Sequence, residues 1–275
     1  MVPATDTVGA LIERYLVEVA PRKAPRTYRD NVAEAKRLTV VFGHMRPTDV
    51  KPMHIAEYLD RRGRQAPVRA NREKSLLSHV FSMAMRWGVV DFNPCRGVAR
   101  NPEKGRDRYI TDAEFAGVKA LASEFIATVM DFAYLTALRK GDIFGLRLDQ
   151  VTSDGIFVKQ AKTGAKQVYE WSASLRSVVD RAKALPRPIR GMYLFCTRRG
   201  QPYSDAGFKA MWNRVQVKWA EQGGERFTFH DIRAKALTDA KALGLDAQAL
   251  AGHSSPAMTE HYIKQREFRK IKPLR

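Results

Sequence analysis

The sequence predicts a mainly α-helical protein with a small antiparallel β-sheet, arranged as a helical domain followed by a mixed α+β domain. Three observations carry that expectation. Four successive N-terminal segments keep a helical hydrophobic period with no strand pattern between them, a stretch rich in Asn, Pro and Gly follows, and beyond it the period changes locally to two. With 275 residues, 44% of them hydrophobic, the chain can bury one large core or two moderate ones.

The first segment is the clearest. Val8, Leu11, Ile12, Tyr15, Leu16 and Val19 fall on one helical face, and Pro21 stops the run. Further helices are expected over about 25–42, ended by Gly43, over about 51–62, and over about 67–87, ended by Gly88. The last of these turns Leu77, Val80, Phe81 and Ala84 inward. Residues 1–92 therefore read as a small helical bundle. Residues 93–108, with two Asn-Pro pairs and two glycines, read as a basic interdomain linker.

The second domain, residues 109–275, opens with Thr111 as a helix cap and helices to about Leu135. Segments 155–160 and 167–171 alternate as strands, which places Lys162 at the tip of a hairpin. A helix over about 172–185 and a short strand at 193–195 come next. Phe208, Met211, Trp212, Val215 and Trp219 then form a stripe that reads as core rather than as a base-stacking platform.

Charge narrows the function. There are 48 Lys and Arg against 29 Asp and Glu, a net +19 and a pI near 10.1, which points to a polyanion. The excess is shared: residues 1–106 hold 20 basic and 11 acidic residues, and residues 107–275 hold 28 and 18. Two basic faces around one ligand fit that balance. Arg61, Arg62, Arg64, Arg69, Arg72 and Lys74 lie within fourteen residues, opposed only by Glu73, and are expected to contact a nucleic-acid backbone. Arg96, Arg100, Lys104 and Arg106 in the linker are expected to do the same. No apolar run is long enough to span a membrane and no leader pattern opens the chain, so no membrane partner is expected. Cys95 and Cys196 form no C-x-x-C, which fits free thiols in a reducing cytoplasm. The six histidines make no metal-ligand spacing, so neither a metal nor another cofactor is expected.

The chemistry concentrates near the C-terminus. Phe229, Ile232, Ala236, Leu237, Ala240 and Leu243 define a helix, and Thr228 with Asp231 form a capping-box start. His230 and Arg233 fall in its first turns, flanking the apolar stripe, where unpaired N–H groups and the helix dipole favour an anion. After Gly244 a short helix over 247–251 is broken at Gly252 and His253, and Ser255 with Pro256 starts another. Tyr262 lies about two turns into that helix, so His253 and Tyr262 can converge, while His261 faces elsewhere.

Taken together, Thr136-Ala-Leu-Arg139-Lys-Gly-Asp142, Lys162-Thr-Gly, His230-Asp-Ile-Arg233, Leu250-Ala-Gly-His253 and Tyr262 resemble the tyrosine recombinase family in order and spacing, most of all its phage integrase branch. The resemblance covers the second domain almost end to end, and the helical first domain resembles that family's core-binding domain. It implies a C-shaped clamp around duplex DNA. It assigns Arg139 and Arg233 to the scissile phosphate, Lys162 as general acid, His230 and His253 to protons at the phosphoryl oxygens, and Tyr262 as nucleophile. Asp142 matches an acidic position that orients the site. Ala137, Ile232 and Ala251 depart from the family's usual Gly, Leu and Leu; none is a reacting group.

The residue types suit that reaction. A free tyrosine titrates near 10, so ionising it at pH 7 costs about 4 kcal/mol. Nearby arginines and partial proton removal offset this, and guanidinium forks stabilise charge growing on phosphoryl oxygens without a metal. Protonation of the departing 5′-oxygen by a mobile lysine is worth about 10²–10⁴ in rate. The product is a 3′-phosphotyrosyl bond that keeps the phosphodiester energy, so rejoining needs no ATP.

By resemblance the partners are double-stranded DNA at attachment or core sites, accessory DNA-bending proteins, and a homotetramer on DNA exchanging C-terminal tails, with Phe268 and Ile271 as anchors. The expected function is integration and excision of a phage or mobile element in a bacterial cytoplasm, at the nucleoid. A chromosome-dimer or plasmid resolvase of the same family, a type IB topoisomerase, and a DNA-binding regulator with an inactive site stay open. Whether an arm-binding domain precedes this chain also stays open.

Overall fold

A computed structural model of the chain describes residues 6–103, 108–189 and 191–263, the side chain of His261 apart. It divides into two compact units, Met1–Gly105 and Arg106–Arg275.

The first unit is a helical bundle of α1 (Val8–Glu18), α2 (Pro25–Phe42), α3 (Pro52–Gly63) and α4 (Pro67–Arg86). α1 is capped by the Thr7 hydroxyl on Ala10 N, and α2, α3 and α4 each begin with proline at a position whose N–H has no intrahelical partner. Val8, Leu11, Ile12 and Tyr15 bury one side of α1 against Leu38, Phe42, Leu77, Val80 and Phe81.

The expected linker starts later than residue 93. Asn93 donates to the Ser78 carbonyl at 2.8 Å and Cys95 is buried in the bundle core. Farther on, Asn101 N donates to Asn71 Oδ1 and Asn71 Nδ2 to the Asn101 carbonyl, each at 2.9 Å. A segment rich in Asn and Pro looks like a linker in sequence, yet buried asparagines give its backbone fixed partners. Burial also pushes the Cys95 thiol up to about 12, so it is inert.

The second unit follows α5 (Asp112–Leu121), α6 (Glu124–Thr136), α7 (Lys140–Gly145), β1 (Ile156–Lys159), β2 (Lys166–Tyr169), α8 (Ala173–Ala184), α9 (Asp205–Glu221), α10 (Phe229–Ala242), α11 (Ala247–Ala251) and α12 (Pro256–Ile263). β1 and β2 pair antiparallel, Ile156 opposite Tyr169 and Lys159 opposite Lys166. Ile156 and Val158 face the core while Phe157 and Lys159 face out. Among the described residues this is the whole sheet. Residues 193–195 form no strand: Leu194 N reaches the Leu146 carbonyl and Met192 offers its carbonyl to Leu148 N, and the segment goes no further as a ladder.

α6, α8, α9 and α10 enclose the main core, where Phe144, Phe195, Phe208, Trp212 and Phe229 meet ring to ring. Trp212 also donates to the Phe227 carbonyl, fixing the entry to α10. Asp231 accepts from Thr228 N at 2.7 Å, the expected start of that helix. Leu243, expected on its buried stripe, is 75% exposed because the helix ends one residue earlier. Among the described residues no helix is long and apolar enough to cross a membrane.

Candidate active site

Four elements of the second unit converge: the α6–α7 turn with Arg139, the turn of the β1–β2 hairpin with Lys162, the start of α10 with His230 and Arg233, and the α11–α12 corner with His253 and Tyr262.

Arg233 is the centre. It flanks the stripe by helical phase, but the neighbouring turn closes over it and only 2% stays exposed. Its Nη1 donates to the Ala137 carbonyl, and its Nη2 to the Ala251 carbonyl at 2.7 Å and toward His253 Nε2 at 3.1 Å. All three partners are neutral acceptors, and Nε–H, buried, has none. A guanidinium carries five N–H donors, so two are left for an anion. Burial and the nearby Arg139 charge lower its pKa, and it stays protonated at any physiological pH.

The Ala137 carbonyl points inward because α6 ends there in a left-handed turn, φ 49°. Arg139 follows, extended, as the residue that starts α7, and is half-buried. Its Nη1 donates to the Gln160 side-chain carbonyl. Asp142 accepts from Ala161 N at 2.8 Å, which ties α7 to the first residue of the hairpin turn. Lys162 is exposed on that turn.

Tyr262 is half-buried, with its hydroxyl 3.0 Å from His230 Nε2. Its ring stacks on His253 at 5.5 Å between centroids and lies 5.9 Å from the Arg233 guanidinium carbon. His230 keeps an exposed edge, and partial desolvation by its neighbours lowers its pKa, as do the charges of Arg233, Arg139 and Lys162, against an opposing pull from Asp231. A neutral His230 accepts from the tyrosine hydroxyl. Burial, then Arg233 and Arg139, bring His253 down to about 4. With Arg233 donating to its Nε2, the proton of neutral His253 is on Nδ1 and goes to Thr259 Oγ, 2.9 Å away.

All six expected residues thus belong to one corner of one unit. The ten expected DNA contacts are a different case. Arg62 lies 3.2 Å from the buried Glu73, which also accepts from Tyr58 OH at 2.6 Å. Lys74 is buried, with Nζ 2.6 Å from the Val98 carbonyl. Both cations are turned inward and hold the bundle together. Arg61 pairs with Glu57 at 2.6 Å and Arg72 with Glu103 at 3.7 Å, both on the surface. Arg64, Arg69 and Arg96 are exposed, and Arg100 is exposed with a bond to Ser75 Oγ. Lys104 and Arg106, the His261 side chain, and Phe268 and Ile271 lie outside the described residues.

Two participants were not singled out from the sequence. Thr259 takes the Nδ1 proton of His253 in the tautomer that the Arg233 bond fixes. Gln160 holds Arg139, and the inward parity it shares with Ile156 and Val158 is the signal that marks it.

A tyrosine hydroxyl against a histidine, with two arginines in the same corner of this scaffold, is the layout of the tyrosine recombinases. Comparison with known proteins agrees. The model of the phage integrase family matches residues 118–268. Prophage integrase IntE of Escherichia coli K12 is 26% identical over 266 residues, 87% of this chain and 69% of that protein. The lambda integrase dimer bound to a COC′ core site superposes with a TM-score of 0.84 at 22% identity, covering 97% of this chain and 99% of that one. The lambda integrase tetramer bound to a Holliday junction gives 0.82 at 21% identity, covering 97% and 80%. The chain belongs to the phage integrase family.

Proposed function

We propose that this chain is a site-specific DNA recombinase that integrates and excises a phage or mobile element, cleaving DNA through Tyr262. The observation that carries the reading is the Tyr262 hydroxyl held 3.0 Å from His230 beside an arginine buried among neutral acceptors. Such a site is short of one negative charge, and a phosphodiester supplies it.

In the proposed cycle the scissile phosphate enters between Arg139 and Arg233, whose remaining N–H donors bind its non-bridging oxygens. The Tyr262 oxygen attacks phosphorus while its proton passes to His230 Nε2. The P–O5′ bond breaks and Lys162, on its exposed turn, gives a proton to the departing 5′-oxygen. The 3′-phosphotyrosyl bond that results is attacked by the 5′-hydroxyl of another strand, which regenerates tyrosine without ATP or a metal. His253 acts with Arg233: when DNA is bound the ring changes to the Nε2–H tautomer, Nδ1 then accepting from the Thr259 hydroxyl, so that Nε2–H donates to a phosphoryl oxygen. The first unit adds backbone contacts to the duplex through Arg64, Arg69, Arg96 and Arg100. Strand exchange uses a homotetramer with exchanged C-terminal tails.

The test is covalent trapping on nicked duplexes carrying candidate attachment sequences. The native protein is expected to give a denaturant-resistant adduct at the 3′-phosphate, and Tyr262→Phe to bind equally and give none. Binding without an adduct on every duplex favours a DNA-binding regulator instead.

A further inference from the structure

Gln160 is neutral, carries none of the family's reacting groups, and is only 1% exposed. Its amide is nonetheless used at both ends. The carbonyl accepts from Arg139 Nη1 and from Thr163 Oγ at 3.2 Å. The NH₂ group donates to the Ala251 carbonyl at 2.9 Å and to Gln167 Oε1. Ala251 O is also the acceptor for Arg233 Nη2 at 2.7 Å. One side chain and one carbonyl therefore bridge the two arginines. The Gln160 backbone closes the turn that carries Lys162: its N–H donates to the Ala165 carbonyl and its C=O accepts from Gly164 N, each at 2.8 Å.

The fit is tight. Gly252, in the left-handed region at φ 62°, lies against this amide, and a Cβ there would overlap Gln160 Nε2 and come within 2.6 Å of Gln167 Oε1. A buried amide with its donors and acceptor satisfied in fixed directions is a rigid strut, and its rotamer cannot change without stranding polar atoms.

We propose that Gln160 is a positioning residue for Arg139: its side-chain carbonyl aims one face of the guanidinium, while its NH₂ group locks that aim to the Ala251 carbonyl that also fixes Arg233. It touches no reacting atom and acts through Arg139. The inference rests on the recombinase reading for its catalytic consequence, and on the geometry alone for its effect on Arg139.

The test uses Gln160→Leu, which keeps the bulk and removes the hydrogen bonds. Gln216→Leu serves as comparator, because Gln216 is also buried in this unit but accepts from Phe227 N, at the entry to α10, and bonds neither Arg139 nor Arg233 among the described residues. Adduct formation is measured in single turnover on a phosphodiester and on a duplex with a methylphosphonate at the scissile position. The methyl group removes the charge that Arg139 neutralises, so a misaimed Arg139 matters only for the first substrate. Gln160→Leu is expected to slow cleavage of the phosphodiester by about 30-fold and of the methylphosphonate by less than about threefold. Gln216→Leu is expected to affect both substrates equally. Separately, phenylglyoxal labelling of the free protein, read by peptide mass spectrometry, should modify Arg139 several-fold faster in Gln160→Leu, with Arg233 unchanged.

Equal slowing on both substrates, or unchanged labelling of Arg139, overturns the proposal. If the native protein gives no adduct on either duplex, the recombinase reading fails, and the labelling still decides whether Gln160 holds Arg139.

Discussion

Arg62 and Arg233 are both drawn into the protein, and they are held in opposite ways. Arg62, on α3, meets the buried carboxylate of Glu73, so charge meets charge and the surface is left without it. Arg233, on α10, is buried more deeply and has carbonyls and a histidine as hydrogen-bond partners. A buried cation with only neutral acceptors is under-compensated. Basic residues that look alike along the chain thus divide into those paired with a carboxylate inside the fold and those left with neutral acceptors.

The largest expected effect tests that division directly. Arg233→Met should slow adduct formation by about 10³ or more, because a phosphoryl oxygen loses its fixed donors. It should change stability by no more than about 2 kcal/mol, since the solvation cost that disappears with the charge offsets the donor lost to the Ala137 carbonyl, while the Ala251 carbonyl keeps Gln160. Arg62→Met should do the reverse, destabilising the first unit by about 2 kcal/mol by leaving Glu73 half-paired, with saturated cleavage unchanged. Urea unfolding and single-turnover cleavage on both variants decide it; a large cleavage defect in Arg62→Met at unchanged stability would erase the contrast.

Protons sharpen the same comparison. His230 and His253 both titrate below the ordinary imidazole value, so both are neutral at pH 7. Below the His230 pKa the ring holds its own proton and cannot take that of Tyr262, so cleavage should fall about tenfold per pH unit. Stability has its own window. Above pH 6.5 His253 is neutral folded and unfolded, and its contribution is fully present. As pH falls from 6.5 toward about 4 the unfolded state takes up a proton that the folded state refuses, and stability drops by at most about 3 kcal/mol, less where solvent screens the ring. His253→Gln should remove that part of the slope, seen as a flatter plot of unfolding free energy against pH.

DNA binding gives a smaller test. Arg64 and Arg69 are exposed, whereas Lys74 is buried against the Val98 carbonyl. Replacing Arg64 and Arg69 with Ala should reduce the slope of log affinity against log salt by about one for each phosphate no longer neutralised. Lys74→Ala should leave that slope alone and lower the unfolding free energy by about 2 kcal/mol. A changed slope in Lys74→Ala would place that lysine on the DNA after all.

Much of this was legible in the sequence, for identifiable reasons. Helices α1 to α4 begin and end within a residue or two of their expected limits, because an apolar stripe, an initiating proline or a following glycine is a local signal. The six residues proposed to react carry unusual chemistry and could be located by type. What could not be read was pairing across distance: Arg62 with Glu73, eleven residues apart, or Asn71 with Asn101, thirty apart. Gln160 was missed because glutamine has no charge to flag it. Residues 193–195 looked like a strand because Tyr, Leu and Phe favour one, yet two backbone bonds to 146–148 satisfy the segment without a ladder.

The smallest expected effect concerns Ala137, where this chain departs from a common glycine. Its left-handed conformation aims a carbonyl at Arg233, and an L-residue in that region pays about 1–2 kcal/mol. Glycine removes that strain but loses about 0.5–1 kcal/mol in unfolded-state entropy. It also removes a fully buried methyl group, worth about 0.8 kcal/mol. The terms nearly cancel, so Ala137→Gly should shift unfolding free energy by less than about 1 kcal/mol and cleavage by less than twofold. Thermal unfolding and the adduct assay check this. A drop beyond about 2 kcal/mol would mean that packing at Cβ holds the corner, and the Arg233 socket would then depend on side-chain packing as Arg62 depends on Glu73.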